Sequence, residues 1–467
     1  MSIRAIFVLV VTGIGIFLAF FADVFYGVLL YSFYTFFSPM QLIWGSLGGI
    51  RLSFITAAAV VVFALIQRQK IIAKHSLTFL CLFFLFICWA SLAMQTGVTE
   101  YSWDNLQVLL RIIAMTIIIA ALLNTTERLR LYIFSILVFA GLLNAYYGFG
   151  GILAGSTNIA GPGRIGDNNG FAVMLNTCLP FIYYAGLQIK HRFGRHFTKL
   201  VFVGNIIAIM LTFSRGGFVT LIFTLTVLFS KFKNKVLVFS VGLIMVISIM
   251  LFMPLYSTPK YEYFEEATQG NEQEALGIQK VFKQYIERIE TLGQDKEEIG
   301  SAISRMHFWN VAFIMANENP FLGVGWGRYK TFYNDYDTAY GEFGYNRAVH
   351  SNPLKVLSEM GYIGFFVYIL IFLACLTATK RTRKSMLSCP NLALRKEFLD
   401  YTKMLRLSML VYFIGSLFVT TINQEIFWAI ITISIALDKI SQQIAHNTTI
   451  KESEGGILNL SKRIFSK

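Results

Sequence analysis

The sequence predicts an all-α, polytopic membrane protein, and three observations carry that prediction. Of its 467 residues, 55% are hydrophobic and only 14% charged, with a positive mean hydropathy, so the chain holds more apolar surface than one globular core can cover and needs lipid as solvent. The apolar residues come in long runs of helical length, not in alternating ten-residue strands, as expected where each spanning segment must satisfy its own backbone hydrogen bonds. Lys and Arg collect in 67–75, 190–199, 231–235 and 380–406, short stretches that the positive-inside rule assigns to the cytoplasm. About 12–13 transmembrane helices and one large extracytoplasmic insert account for this pattern.

Residues 2–39 are apolar with a break at Asp23, and 40–49 is a short Gly- and Trp-containing segment, so this region makes either two spans or one span and a re-entrant piece. The opening MSIR and its apolar run lack a small-residue cleavage site, which predicts an uncleaved first helix. Further spans are expected at 52–66, 77–94, 106–123, 129–153, 170–189, 200–213, 217–230, 236–255, 354–379, 407–422 and 425–440. If 77–94 runs outward, every strongly basic loop falls on one face. The same threading places 101–104, the Gly-rich loop 155–169, the SRGG tetrapeptide at 214–217, the insert 256–350 and 423–425 on the other. The expected organisation is an N-terminal transmembrane domain (1–200), a core with the insert (201–379), a basic loop (380–406), C-terminal helices (407–440) and a cytoplasmic tail (441–467). No internal repeat is evident, which argues against an inverted-repeat transporter plan.

The insert carries 14 Asp/Glu against 9 Lys/Arg. Within it, 273–299 has apolar residues at three- and four-residue spacing and predicts an amphipathic helix. Asn319 and Pro320 mark a helix stop, PFLGVGWG predicts a tight, exposed turn, and 333–345 lacks periodicity and predicts a loop. The formal charge of +14 is explained by the cytoplasmic loops, and no basic stripe interleaved with exposed aromatics points to nucleic acid. The five cysteines lie in apolar spans or in the 380–406 loop, which leaves the insert without a disulfide framework. There is no HExxH or Cys/His cluster. Asp335 and Asp337 have DxD spacing but sit in an unpatterned Tyr-rich stretch, so no metal or other cofactor is indicated. The acidic residues Glu262, Glu265 and Glu266 read as a solvated face.

A few residues have the character of a site. Arg215 lies in LTFSRGGFVTL, between two apolar runs; a guanidinium beside hydrocarbon must face a polar cavity, find an anion, or snorkel to headgroups. An anion-binding Arg215 would have Gly216 and Gly217 beside it, small enough to let backbone N–H groups approach the same ligand. Arg305 opens SRMHFWNVAFIMANENP as a second anion-binding arginine or as a solvated first-turn residue. Arg164, in GPGRIGDNNG, belongs to a phosphate cradle or to an ordinary turn. No Lys-Ser/Thr pair follows, so that turn is not a P-loop. His350 stands where the polar insert meets the next apolar span, suited to act as a general base or to cap the following helix. Glu359, on that helix, would orient a partner or pair with an arginine. His307 reads as a packed helix residue.

Taken together, TFSRGGF, SRMHFWNVA, NPFLGVGWGRY and HSNPLKVLSEMGYIGF resemble, in residue type, order and membrane placement, the C-terminal half of the O-antigen ligase and polymerase superfamily (WaaL-like and Wzy-like proteins) over about 205–366. The N-terminal FYGVLLYSFYTFFSPMQLIWGSLGGIRLSFITAAAVVV resembles the leading domain of exosortase-associated O-glycosylation ligases, with Ser38, Pro39, Met40 and Gln41 where that group has an Asn-Pro-His-Arg run. The resemblance implies a metal-independent, inverting glycosyltransferase at the outer face of the bacterial cytoplasmic membrane. Its donor would be an undecaprenyl-diphosphate-linked glycan and its acceptor a glycan, a lipid or a protein. It also implies that Arg215 and Arg305 hold the diphosphate and that His350 is the essential histidine. The alternatives are a polymerase of the same fold and, from another class, a transporter or flippase of lipid-linked glycans.

Overall fold

The computed structural model describes residues 3–39, 52–94, 98–156, 158–161, 166–230 and 296–464. Helices α1 (Ile3–Phe21) and α2 (Phe25–Ser32) are separated at Asp23, and α2 runs into a π-turn (Phe33–Phe37). Then follow α3 (Leu52–Ile66), α4 (Ser76–Ala93), α5 (Glu100–Leu122), α6 (Thr126–Ala154), α7 (Asn168–Leu187), α8 (Arg192–Leu211) and α9 (Arg215–Phe229). After the segment 231–295 come α10 (Lys296–Glu318), α11 (Tyr329–Tyr336), α12 (Asn352–Leu387), α13 (Leu392–Ser416) and α14 (Glu425–Ile464). The described residues form no strand, so the protein is all-α. The expected span 236–255 and amphipathic helix 273–299 fall outside the described residues, except for the end of the latter, which enters α10.

Among the described helices, seven are long and apolar enough to cross a membrane, namely α1, α4, α5, α6, α7, α8 and α12, and α2 with its π-turn, α3 and α9 are shorter apolar helices. Two expected spans differ from these. Helices α13 and α14 carry charges within their apolar stretches, among them Asp400, Lys403, Asp438 and Lys439. Three of these charges are paired within the protein: Asp400 with Lys403, and Asp438 with His75 and Arg381, so they need not face lipid unpaired. The basic stretch 380–406, expected as a loop, continues α12 to Leu387 and re-enters helix at Leu392.

The helix starts follow their capping residues. Thr99, Thr125, Asp167, Ser214 and Asn391 each accept a first-turn N–H at the heads of α5, α6, α7, α9 and α13. His75 does the same for α4 through Nδ1. Small residues set the closest packing. A Cβ on Gly148 of α6 would stand 2.2 Å from the Gly204 carbonyl of α8, a backbone-to-backbone approach typical of membrane helix pairs.

The two ends of the bundle separate as the charge pattern predicts. At the basic end, Asp23 pairs with Arg128, Arg130 makes a two-pronged contact to Glu397 at 2.5 and 2.6 Å, and Asp438 receives His75 at 3.0 Å and Arg381 at 2.6 Å. At the opposite end, α10, α11 and the residues before α12 enclose a small core of their own, built on Phe308, Val311, Met315, Val324, Tyr333 and Val349. Two expectations change here. The helix α11 extends through Tyr336, where the sequence predicts a loop from Tyr333 onward. The PFLGVGWG turn is tight but exposed only at its start: Pro320 and Phe321 face outward, whereas Gly323 to Tyr329 are all buried and Trp326 is fully enclosed.

Candidate active site

The polar site lies at that second end, where the chain starts α7, α9 and α12 and passes along α10. The turn before α9 is short. After α8 ends at Leu211, Phe213 adopts a left-handed φ of 51°, a conformation a bulky L-residue rarely takes. Ser214 then caps α9 by accepting the Gly217 N–H at 3.1 Å. The Ser214 hydroxyl donates to Asn169 Oδ1 at 2.7 Å, and Asn168 Nδ2 donates to the Thr212 carbonyl at 2.9 Å. The turn before α7 and the turn before α9 are thereby stitched together, and Arg215 emerges from the joint as an exposed first residue of α9.

This geometry corrects the expectation for Gly217. Its N–H is committed to the Ser214 cap, and an added Cβ would stand 2.5 Å from the Cβ of Ala172. Gly217 lets α9 pack on α7 and does not offer its N–H to an anion. Gly216 is half-buried beside Phe418, whose Cβ would be 3.2 Å from an added Cβ. Arg164 lies outside the described residues.

Arg305 and Phe308 share one face of α10, three residues apart, and the Phe308 ring centroid is 6.4 Å from that of His350. Arg305 is half-buried. Burial and then the neighbouring Arg215 charge push its pKa below the usual guanidinium range, with Asp167 opposing them. His350 precedes α12 in a left-handed conformation, φ 50°, a strained backbone costing on the order of 1 kcal/mol for a non-glycine residue. It is half-buried. Its imidazole is pushed below its ordinary range by burial first, then by Arg305; Asp167 raises it and Arg347 lowers it. The side chains that act electrostatically on His350 therefore come from α10, from the turn before α7 and from its own loop.

His350 does not cap α12, because Ser351 occupies the N-cap position without a side-chain cap bond. The next residue, Asn352, anchors the segment instead. It donates to Tyr412 Oη at 3.0 Å and Thr421 Oγ1 at 3.1 Å and accepts the N–H groups of Thr421 and Ile422 at 2.7 and 3.1 Å. Four hydrogen bonds from one buried side chain fix the position from which His350 projects.

Glu359, a candidate to orient a partner or to pair with an arginine, is engaged by the loop. Its carboxylate is 1% exposed and accepts from the N–H groups of Gly327 at 2.8 Å and Tyr329 at 3.1 Å and from Lys355 Nζ at 3.0 Å. Helix α12 breaks just beyond it, at Gly361 with φ 64°. The carbonyls of Ser358 and Glu359 then accept Val324 N–H at 2.9 Å and Gly325 N–H at 3.1 Å, and Tyr362 N–H donates to Pro320 O at 2.8 Å. A Cβ on Gly323 would stand 2.4 Å from the Ser358 carbonyl, so the glycines of this turn permit the backbone to lie in the helix break. Replacing Glu359 by Ala leaves Lys355 and two buried amides without their acceptor. The expected loss is about 3–5 kcal/mol of stability, read as a lower thermal midpoint in detergent, with Glu359→Gln intermediate.

His307 contacts Asp337 Oδ1 at 2.6 Å, and Asp337 also accepts the N–H groups of Ala339 at 3.0 Å and Gly341 at 2.7 Å. Burial tends to raise this carboxyl, but the two backbone donors and His307 hold it below its usual range. The DxD spacing of Asp335 and Asp337 thus reflects a turn-closing aspartate. Among the described residues, no group of three or more His, Cys, Asp or Glu side chains is placed to hold a metal ion. Two charged members of the site escape the sequence reading. Asp167 reads there as part of a Gly-rich turn, although DNN ahead of an apolar run is a helix-start signature. Arg347 lies three residues before His350.

The fold and this site define a polytopic α-helical membrane protein with a cationic, histidine-containing site at one end of its bundle. Residues 200–369 match the family model described as O-Antigen ligase. The chain therefore carries a domain of the O-antigen ligase and polymerase superfamily, and a ligase- or polymerase-type glycosyltransferase is the general class of activity that this supports. No curated protein matches the chain.

Proposed function

We propose that the protein transfers a preassembled glycan from an undecaprenyl-diphosphate carrier to an acceptor hydroxyl at the outer face of the bacterial cytoplasmic membrane. What supports this reading is that Arg215 acts electrostatically on Arg305 and Arg305 on His350, three residues from three separate elements. Two guanidiniums that act on one another electrostatically are suited to share an anionic ligand. A diphosphate leaving group is one, and paired guanidiniums match its oxygens geometrically. In the transfer, the acceptor O–H gives its proton to the neutral imidazole of His350 and its oxygen attacks the anomeric carbon. The bond from that carbon to the carrier diphosphate breaks, its electron pair leaves with the diphosphate, and the developing charge falls to Arg215 and Arg305. Direct attack inverts the anomeric centre. With guanidiniums offsetting the charge, the transfer proceeds in the presence of a chelator.

The test uses purified protein and one labelled lipid-linked donor. Release of undecaprenyl diphosphate that requires an added acceptor establishes a ligase. A product ladder formed from the donor alone establishes the polymerase, and translocation of intact donor across a vesicle membrane without release of undecaprenyl diphosphate overturns glycosyl transfer altogether.

A further inference from the structure

We propose that Arg328 forms an anion-binding site of its own, which takes a carboxylate or phosphate group carried by an acidic glycan or by a lipid headgroup. The site is built from α11 and the turn before it, whereas Arg215 and Arg305 belong to α9 and α10, and it does not depend on the glycosyl-transfer reading. Arg328 is 4% exposed, and its Nε and Nη1 are enclosed with no hydrogen-bond partner. An arginine carries five N–H donors and holds its charge, so this side chain is a buried cation whose donors find no acceptor among the described residues. The guanidinium carbon stands 4.5 Å from the ring centroid of Phe332. An aromatic face attracts the positive charge, yet it leaves the edges of the guanidinium free.

The carboxylates of this part of the fold are committed elsewhere. Glu359 accepts the N–H groups on either side of Arg328, those of Gly327 and Tyr329, together with Lys355 Nζ. Asp337, at the end of α11, is engaged by His307, Ala339 and Gly341. The backbone is held as well. Arg328 N–H donates to Gly325 O at 3.1 Å, and its carbonyl accepts the N–H groups of Thr331 and Phe332 at 3.0 and 3.1 Å. Gly327, with φ 76°, lies against the head of α5, where an added Cβ would stand 3.1 Å from Ser102 Cα. The guanidinium is thus carried by a segment fixed by α12, α5 and its own helix. Its Nη2 is the nitrogen that is not fully enclosed. That atom belongs to both edges through which a guanidinium grips an oxyanion with two parallel bonds, one shared with Nε and one with Nη1. An anion arriving at Nη2 therefore meets an inner donor already stripped of water, whichever edge it takes. Burial pushes the Arg328 pKa below the usual guanidinium range, a penalty that a bound oxyanion offsets.

The test uses the purified full chain in a zwitterionic detergent at constant ionic strength. Arg215→Ala serves as the background, so that the other pair of guanidiniums is broken, and the thermal midpoint is read against added sodium glucuronate or sodium phosphate. The midpoint is expected to rise and saturate. Adding Arg328→Met, which keeps an unbranched side chain over Phe332 and removes the charge, abolishes the rise and leaves the anion-free midpoint at or above the background, because an uncompensated buried cation is gone. Arg328→Lys keeps the charge without the planar fork and weakens the apparent affinity about tenfold or more; should Arg328→Met fail to fold, undiminished affinity in Arg328→Lys overturns the inference. If the soluble anions have no effect, but the midpoint rises between phosphatidylcholine nanodiscs and nanodiscs containing phosphatidylglycerol and Arg328→Met removes that rise, the oxyanion is a lipid headgroup and the site stands. A response that is equal with and without Arg328→Met, or no response to any of these probes, makes Arg328 a purely structural cation stacked on Phe332 and overturns the inference.

Discussion

His350→Gln is expected to lower the transfer rate by about 10² to 10⁴, the usual contribution of a positioned general base, with the thermal midpoint unchanged. The stability expectation follows from the fold, because Asn352 and not His350 anchors the head of α12. The parent protein has a diagnostic pH profile. Burial and the flanking Arg305 and Arg347 depress the pKa of His350, so the neutral, active form persists below the pH at which an ordinary imidazole is protonated. Activity is therefore present at and above neutral pH, and is lost as pH falls through that depressed value. A rate profile whose acid limb lies above the ordinary histidine range, or a His350→Gln variant with full activity, removes the histidine from the mechanism.

Arg305→Ala and Arg215→Ala are each expected to reduce the rate by about 10² to 10³, the range seen when one donor to a developing oxyanion is removed. On the proposed mechanism both guanidiniums address one anion, so the two effects are expected to be coupled. The double variant then loses less than the product of the single losses. Lysine at either position restores charge but not the planar two-pronged geometry, and recovers part of the rate. Arg305→Ala carries a second readout. Removing a positive charge that acts on His350 makes the imidazole more basic, so the acid limb of the residual activity moves to higher pH. Strictly multiplicative losses and an unmoved acid limb would mean that the two arginines act on separate ligands.

Much of this protein is legible in its sequence because lipid imposes simple local rules. The expected span 52–66 coincides with α3 and 77–94 falls within a residue of α4, since an apolar run in hydrocarbon has few options other than helix. The basic loops predict which turns share a side of the membrane, and the contacts among His75, Arg381 and Asp438 and between Arg130 and Glu397 involve those basic stretches or the helices next to them. Isolated polar residues beside apolar runs stand out for the same reason, which is how Arg215, Arg305 and His350 are recognisable one at a time.

What sequence cannot express is which polar groups consume one another. Glu359 and Gly217 have the composition of ligand-binding residues, yet one is spent on the amides of Gly327 and Tyr329 and the other on the Ser214 cap. PFLGVGWG has the composition of an exposed turn, yet its N–H groups meet carbonyls freed by the break at Gly361. The sequence by itself determined the all-α membrane class and picked out the isolated polar residues beside apolar runs, because burial in lipid is a property of each segment. Only the tertiary structure decided that Glu359 is engaged by Gly327, Tyr329 and Lys355, and that Asn352 anchors the segment that carries His350. Those assignments depend on hydrogen bonds and Coulomb interactions acting over a few ångströms between elements far apart in the chain.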